Sequence, residues 1–165
     1  MFVKYLVVFT CTVLSFAPVQ AMAEQSSSSK LMVQQAKIRQ FLPAATATAA
    51  YFSLMNHSEQ TRILQKATIS NLGRVEIHEH IHSDGMMRMQ KLNELAVSPH
   101  QTINFQPGGY HLMAFEPNGT LVKGERLTLT LYFANGEQLE SPITVISLHD
   151  EMDKQGENHS EHKHH

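Results

Sequence analysis

The chain has 165 residues, a formal net charge of −2, and an unusual content of 11 histidines and 9 methionines. A near-neutral charge without a basic patch argues against a nucleic-acid partner. The length suits one domain with a hydrophobic core rather than two domains.

The first segment, residues 1–23, resembles a secretory signal peptide. Lys4 precedes an apolar run at 5–19, and Ala21 and Ala23 are the small residues that a signal peptidase recognises. The run is shorter than the roughly 20 residues of a membrane-spanning helix, so an uncleaved anchor is the weaker alternative. We expect export to the periplasm, cleavage near Ala23 and no stable membrane insertion afterwards.

The one cysteine, Cys11, lies in that segment and has no lipoprotein cleavage motif around it. The exported chain is therefore expected to contain neither a disulfide nor a thiolate metal site. Residues 24–30 form a polar linker that lacks apolar periodicity.

Short strands are predicted from residue 31 to residue 148. Segment 30–42 fits either a helical or a strand period, and we favour a strand. The other predicted strands lie within residues 48–57, 61–70, 73–82, 101–116 (two strands) and 125–148 (a hairpin around Asn135-Gly136). No segment has a clear amphipathic helical pattern. Many short strands separated by turn residues predict an all-β antiparallel sandwich.

Residues 75–90, VEIHEHIHSDGMMRMQ, form the most informative stretch of the chain. Because side chains alternate along a strand, His78, His80 and His82 share one face, and the apolar residues between them face the core. The strand therefore combines a packing face with a face of imidazoles.

The turn that follows sets the strand register. A two-residue turn at Asp84-Gly85 pairs Ser83 with Met86. The same register gives two pairs on the histidine face: His80 with Met89, and His82 with Met87. It places Met86 and Arg88 on the opposite, core side. Imidazole and thioether groups are thus predicted to lie together on one face.

A second cluster consists of His111 and Met113, which are two residues apart and share a strand face. Thioether sulfur suits Cu(I) and offers little to harder metal ions. Methionine also supplies soft sulfur without the risk of disulfide formation in an oxidising compartment. Each residue alone is ordinary, since methionine is common core filler. In both clusters, however, histidines and methionines lie on the same strand face, and this repeated arrangement favours a Cu(I) site.

Four of these residues form a longer pattern, H-x10-M-x21-H-x-M, at His78, Met89, His111 and Met113. In this pattern, and in the surrounding YFSLMNH, GRVEIHE, DGMMRM and PGGYHLM, the chain resembles the PCuAC-type periplasmic copper chaperones over residues 31–148. It departs in its first strand, AKIRQFLP, where the family usually has tryptophan, as in AWIR.

The resemblance implies a cupredoxin-like antiparallel Greek-key β-sandwich or barrel without enzymatic activity. It implies that the four motif residues bind Cu(I). It also implies delivery of copper toward the Cu(A) centre of cytochrome c oxidase, with Sco-type proteins or the Cu(A) subunit as copper-accepting partners.

Additional histidines and one methionine extend the list of metal-binding candidates. Residues 149–165 are rich in histidine and acidic residues and are predicted to be a disordered tail that binds Cu(II). The secondary candidates are His80, His82, His149, Met152, His159, His162, His164 and His165.

Three alternative functions compete with copper delivery. A hydrolytic enzyme is disfavoured, because the chain has no nucleophile elbow and no His-Glu-x-x-His sequence. A zinc or nickel scavenger remains an alternative, because imidazole suits those metals. Copper buffering without a delivery partner would require the same site as delivery.

Overall fold

The computed structural model of the protein describes residues 30–83, 85–148 and 150. The predicted signal peptide, nearly all of the polar linker, and the tail apart from Asp150 lie outside the described residues. Among the described residues, no helix is long and apolar enough to cross a membrane.

The described chain is built from ten strands. They are β1 (Leu31–Arg39), β2 (Ala47–Asn56), β3 (Arg62–Ile69), β4 (Leu72–Ser83), β5 (Met86–Leu92), β6 (Leu95–Val97), β7 (Thr102–Phe105), β8 (Tyr110–Pro117), β9 (Arg126–Phe133) and β10 (Gln138–Ile146). Each strand predicted from the sequence is present, including the ambiguous first one. The short β6 was missed, because three residues are too few to show a strand period.

The strands form one sheet in the order β5-β4-β8-β7-β2-β1-β10-β9-β3-β6, with a further pairing of β8 with β2. Most pairings are antiparallel, as predicted. β7 meets β8 in parallel at one residue pair, and β1 and β10 also pair in parallel. Nearly the whole domain separates these two strands in sequence. No tight turn therefore dictates their relative direction, and a long connection allows a parallel pair.

The hydrophobic core lies between the two halves of this curved sheet. It combines side chains from both halves, and the ones without solvent exposure include Leu54, Leu64, Leu112, Leu129 and Ile143. The alternating leucines of β9 are buried as predicted. The turn into β10 contains Gly136 with φ of 83°, a conformation that favours glycine.

The prediction that Met86 faces the core was wrong. Met86 is 53% exposed, and most of β5 is exposed on both faces. β5 is the edge strand beside β4, and the described residues leave all of it exposed except the partly buried Leu92. Strand parity gives the face of a side chain, but only the surrounding elements decide whether that face is covered.

A buried asparagine, Asn56, joins the end of β2 to two neighbouring loops. Its Nδ2 lies 2.8 Å from the carbonyl oxygen of Gln60 and 3.0 Å from those of Val97 and Ser98. Its Oδ1 accepts hydrogen bonds from the amide and the hydroxyl of Ser58. These contacts satisfy polar groups that are otherwise shielded from water.

Replacing Asn56 with Ala is expected to lower the free energy of unfolding by at least about 2 kcal/mol, because several buried polar groups lose their partners. Asn104→Ala is the matched control. Asn104 accepts one exposed hydrogen bond from Ser53, and its loss is expected to cost less than about 0.5 kcal/mol. Urea denaturation of both metal-free variants measures the difference. Equal midpoints would contradict the structural role of Asn56.

Candidate metal-binding site

The candidate site lies on one face of β4, which is paired with β5 on one side and with β8 on the other. In the register with β5, His80 is opposite Met89 and His82 is opposite Met87. Ser83 is opposite Met86, so the connection contains two residues, as predicted. Gly85 has a φ of 75°, which is consistent with a tight turn.

The register with β8 brings in the second predicted cluster. His78 is opposite His111, and Glu76 is opposite Met113. Because directly opposed residues in neighbouring strands share a face, the three strands place all four motif residues on one surface. His80 belongs to the same surface and lies between Met89 on one side and the β8 turn on the other.

The three imidazole rings lie close together. The ring centroids of His80 and His111 are 4.8 Å apart, and those of His78 and His111 are 5.8 Å apart. His111 is only 4% exposed. Behind this face, Ile77 and Leu112 are buried in the core, so the strands that carry the histidines are anchored by packing.

The carbonyl oxygen of Gly109 fixes the position of two of these residues. It accepts a hydrogen bond from the backbone amide of His80 at 3.2 Å. It is also 3.1 Å from Nδ1 of His111. A carbonyl oxygen can only accept, so Nδ1 of His111 carries the hydrogen and Nε2 keeps a lone pair.

Two ring nitrogens at this site are buried without a partner. Within the described part of the chain, Nδ1 of His78 and Nδ1 of His80 have no hydrogen-bond partner. A buried polar atom without a partner is costly and calls for an explanation. A metal ion that accepts electron pairs from these nitrogens supplies one.

The electrostatic setting keeps His111 uncharged near neutral pH. Burial lowers the pKa of His111, and the nearby imidazoles of His80 and His78 and the charge of Arg39 lower it further, against the opposing effect of its bond to Gly109. A neutral imidazole binds a metal ion without first losing a proton.

Glu76 is a functional candidate that the sequence analysis missed. Its side chain is 13% exposed. One oxygen lies 2.9 Å from Nε2 of His78, and the other accepts from Arg74 at 2.6 Å and from Lys91 at 2.9 Å. These bonds, first the one to His78 and then the one to Lys91, lower the pKa of Glu76 to about 2. Its position two residues before His78, on the same strand face, was the available signal.

The methionines differ in their surroundings. Met89 is 50% exposed and Met87 is 60% exposed. Met113 is half-buried and lines a cleft of about 220 Å³, together with Arg39, Ala49 and Leu148. Thioether groups therefore lie both at the exposed side of the histidines and toward the interior of the sheet.

The structure thus brings His78, His80, His111, Met89 and Met113 onto one surface, and His82 lies further along it at the hairpin end. It confirms the predicted opposition of His80 and Met89. Although the three imidazole rings are neighbours, neither they nor any other three side chains of the His, Cys, Asp and Glu types in the described ranges converge closely enough to hold a metal ion by themselves. The tail candidates, His149, Met152, His159, His162, His164 and His165, lie outside the described residues.

Comparison with known proteins identifies the family to which this chain belongs. A family model described as "Putative lipoprotein LpqE-like" matches residues 31–157. The chain belongs to the LpqE-like family. The match extends past the predicted domain end at Leu148 into the segment where Asp150 contacts Ser147 and Lys123.

This LpqE-like protein is also similar to two curated proteins. It is 28% identical over 92 residues to "Uncharacterized protein RP573" of Rickettsia prowazekii (strain Madrid E), covering 55% of the chain and 51% of the relative. It is 29% identical over 99 residues to "Putative lipoprotein Lxx21020" of Leifsonia xyli subsp. xyli (strain CTCB07), covering 59% of the chain and 58% of the relative. The matched region spans little more than half the length of each relative.

Similar solved structures are PCuAC domains and a Deinococcus radiodurans protein. The copper-bound PCuAC domain from PmoF2 has a TM-score of 0.59 at 16% identity and covers 72% of this chain and 93% of that one. Cu(I)-bound DR1885 has a TM-score of 0.57 at 27% identity and covers 75% and 85%. These likenesses confirm the predicted cupredoxin-like β fold.

Proposed function

We propose that this LpqE-like protein is an exported carrier of Cu(I), and that the ligands are His78, Met89, His111 and Met113. The observation that carries the proposal is the buried Nδ1 of His78, which has no partner among the described residues and lies beside the ring of His111, with thioethers on the same face. The 27% identity to DR1885, whose solved structure contains Cu(I), supports it.

The donor set explains the choice of metal. Thioether sulfur is soft and carries no proton, so it favours Cu(I) over Zn(II). Neutral imidazoles complete the set without adding charge. A site of neutral donors balances the single charge of Cu(I) less strongly than thiolates would, which suits an ion that has to be released again.

The position of the site suits transfer to another protein. Met89 is half-exposed on an edge strand, so a partner's ligands can approach the ion before the site releases it. Delivery toward the Cu(A) centre of cytochrome c oxidase, through Sco-type proteins or directly to the Cu(A) subunit, remains our proposal for the acceptor. A periplasmic location is likewise proposed, and the lipoprotein descriptions of the family and of the Leifsonia relative support export.

The first test is metal choice. The protein ended after Asp150, which retains the Ser147 and Lys123 contacts, is expected to bind one Cu(I) far more tightly than Zn(II). Competition titrations against a Cu(I) chelator and a Zn(II) chelator measure both affinities. Equal affinity for the two ions would favour a zinc scavenger that uses the clustered imidazoles. The full-length chain, compared in parallel, shows whether the tail adds Cu(II) sites.

The second test uses methionine replacements. Met89→Leu and Met113→Leu keep the apolar volume and remove the sulfur, so each is expected to weaken Cu(I) binding by about tenfold or more. The free energy of unfolding of each metal-free variant should lie within about 1.5 kcal/mol of the wild-type value. Met86→Leu is the matched control, because Met86 is on the same strand and similarly exposed but faces the opposite side. Equal losses for Met86 and Met89 would show that strand face does not decide ligation.

The third test compares two histidines. The motif assigns His78 as a ligand, whereas the register places His80 opposite Met89. Under our assignment, His78→Gln weakens Cu(I) binding more than His80→Gln does, in a competition titration at neutral pH. His82→Gln is the control, because His82 is exposed at the hairpin end. A greater loss for His80→Gln would transfer the ligand role to His80 while leaving the copper function in place.

A further inference from the structure

The acidic side chain beside the proposed ligands offers an inference that rests on the proposed function and deepens it. Glu76 lies on the site face of β4, two residues before His78 and opposite Met113. It is the acidic side chain that contacts His78 at the site. Carboxylate oxygen is a hard ligand that suits harder metal ions than Cu(I). Glu76 is therefore not expected to bind the ion directly.

The hydrogen bonds of Glu76 restrict the chemistry of His78. Both carboxylate oxygens are occupied: one faces Nε2 of His78 at 2.9 Å, and the other accepts from Arg74 and Lys91. An ionised carboxylate can only accept a hydrogen bond. The hydrogen of the neutral His78 ring must therefore lie on Nε2, which leaves the lone pair on Nδ1.

We propose that Glu76 is a positioning residue that holds His78 in the Nε2–H tautomer, so that Nδ1 is the atom presented to the metal ion. Nδ1 of His78 is one of the two ring nitrogens that are buried without a partner among the described residues. Hydrogen bonding from the far nitrogen of a metal-binding histidine to a carboxylate fixes ring orientation and increases the basicity of the bound nitrogen.

The neighbouring histidine is held by a different group. Nδ1 of His111 faces the carbonyl oxygen of Gly109, so His111 presents Nε2 instead. The two directly opposed histidines thus offer different ring nitrogens. His78 is held by the charged side chain of Glu76, whereas His111 is held by a backbone carbonyl. Only the contact to His78 can therefore be removed by a side-chain substitution.

The cations around Glu76 keep its carboxylate in place. Arg74 also contacts Glu116 at 3.4 Å and lies over the ring of Phe115 at 3.8 Å. Lys91 is the residue of β5 directly opposite His78. The carboxylate is therefore held from its own strand and from β5, and its second oxygen remains directed at His78.

The test measures the tautomer of His78 directly. Long-range ¹H–¹⁵N NMR of the metal-free protein at about pH 8 should show a single ring hydrogen on His78, located on Nε2. Glu76→Leu removes the acceptor at similar size and should shift His78 toward the other tautomer. Glu116→Leu is the matched control, because Glu116 contacts the same Arg74 but not His78, and it should leave the tautomer unchanged.

The same variants are then titrated with Cu(I) against a chelator. Glu76→Leu is expected to weaken Cu(I) binding by roughly 10- to 100-fold, the usual effect of losing such a partner. Glu76→Gln keeps an acceptor oxygen and should therefore lose less Cu(I) affinity than Glu76→Leu. It also carries the test if the Leu variant does not fold. Glu116→Leu should bind as the wild type does.

The outcomes separate this inference from the proposed function. A hydrogen on Nδ1 of His78 in the wild type, or unchanged tautomer and affinity in the Glu76 variants, overturns the role of Glu76 while copper binding stands. A wild type that binds no Cu(I) overturns the proposed function. The NMR result on the metal-free protein still decides whether Glu76 sets the tautomer.

Discussion

The pairing of β4 with β5 on one side and β8 on the other is the constraint on which the rest of the site depends. Each pairing has a fixed register, and each brings a different donor to the same face. The β5 register places Met89 opposite His80, and the β8 register places His111 opposite His78. A shift of either strand by one residue would turn its donors to the opposite face.

Packing beneath the site stabilises that register. Ile77 and Leu112 are directly opposed and buried on the core face. Exposing either side chain would cost about 1.5–3 kcal/mol of burial. The hydrophobic contacts that stabilise the domain therefore also hold in register the two strands that carry the histidines, β4 and β8.

The site changes in character from the interior of the sheet toward the edge strand. His111 is almost fully buried and uncharged near neutral pH, whereas Met89 and Met87 are at least half-exposed. Burial favours neutral donors that keep their geometry, and exposure allows a partner to approach. The combination suits the proposed binding and release of an ion, and the proposed role of the Glu76 carboxylate is to orient His78.

The sequence by itself determined the local features of this protein. The alternation of VEIHEHIH and the two-residue turn at Asp84-Gly85 were sufficient to predict the β4–β5 register, because a strand has a period of two and a tight turn leaves one pairing. Tertiary structure decided what depends on distant segments: the parallel pairing of β1 with β10, the opposition of His78 and His111, and the exposure of Met86. It also decided the contact of Glu76 with His78, since a shared strand face permits such a contact but does not specify it. Pairing and burial between distant segments depend on how the whole chain packs, and no local periodicity encodes that packing.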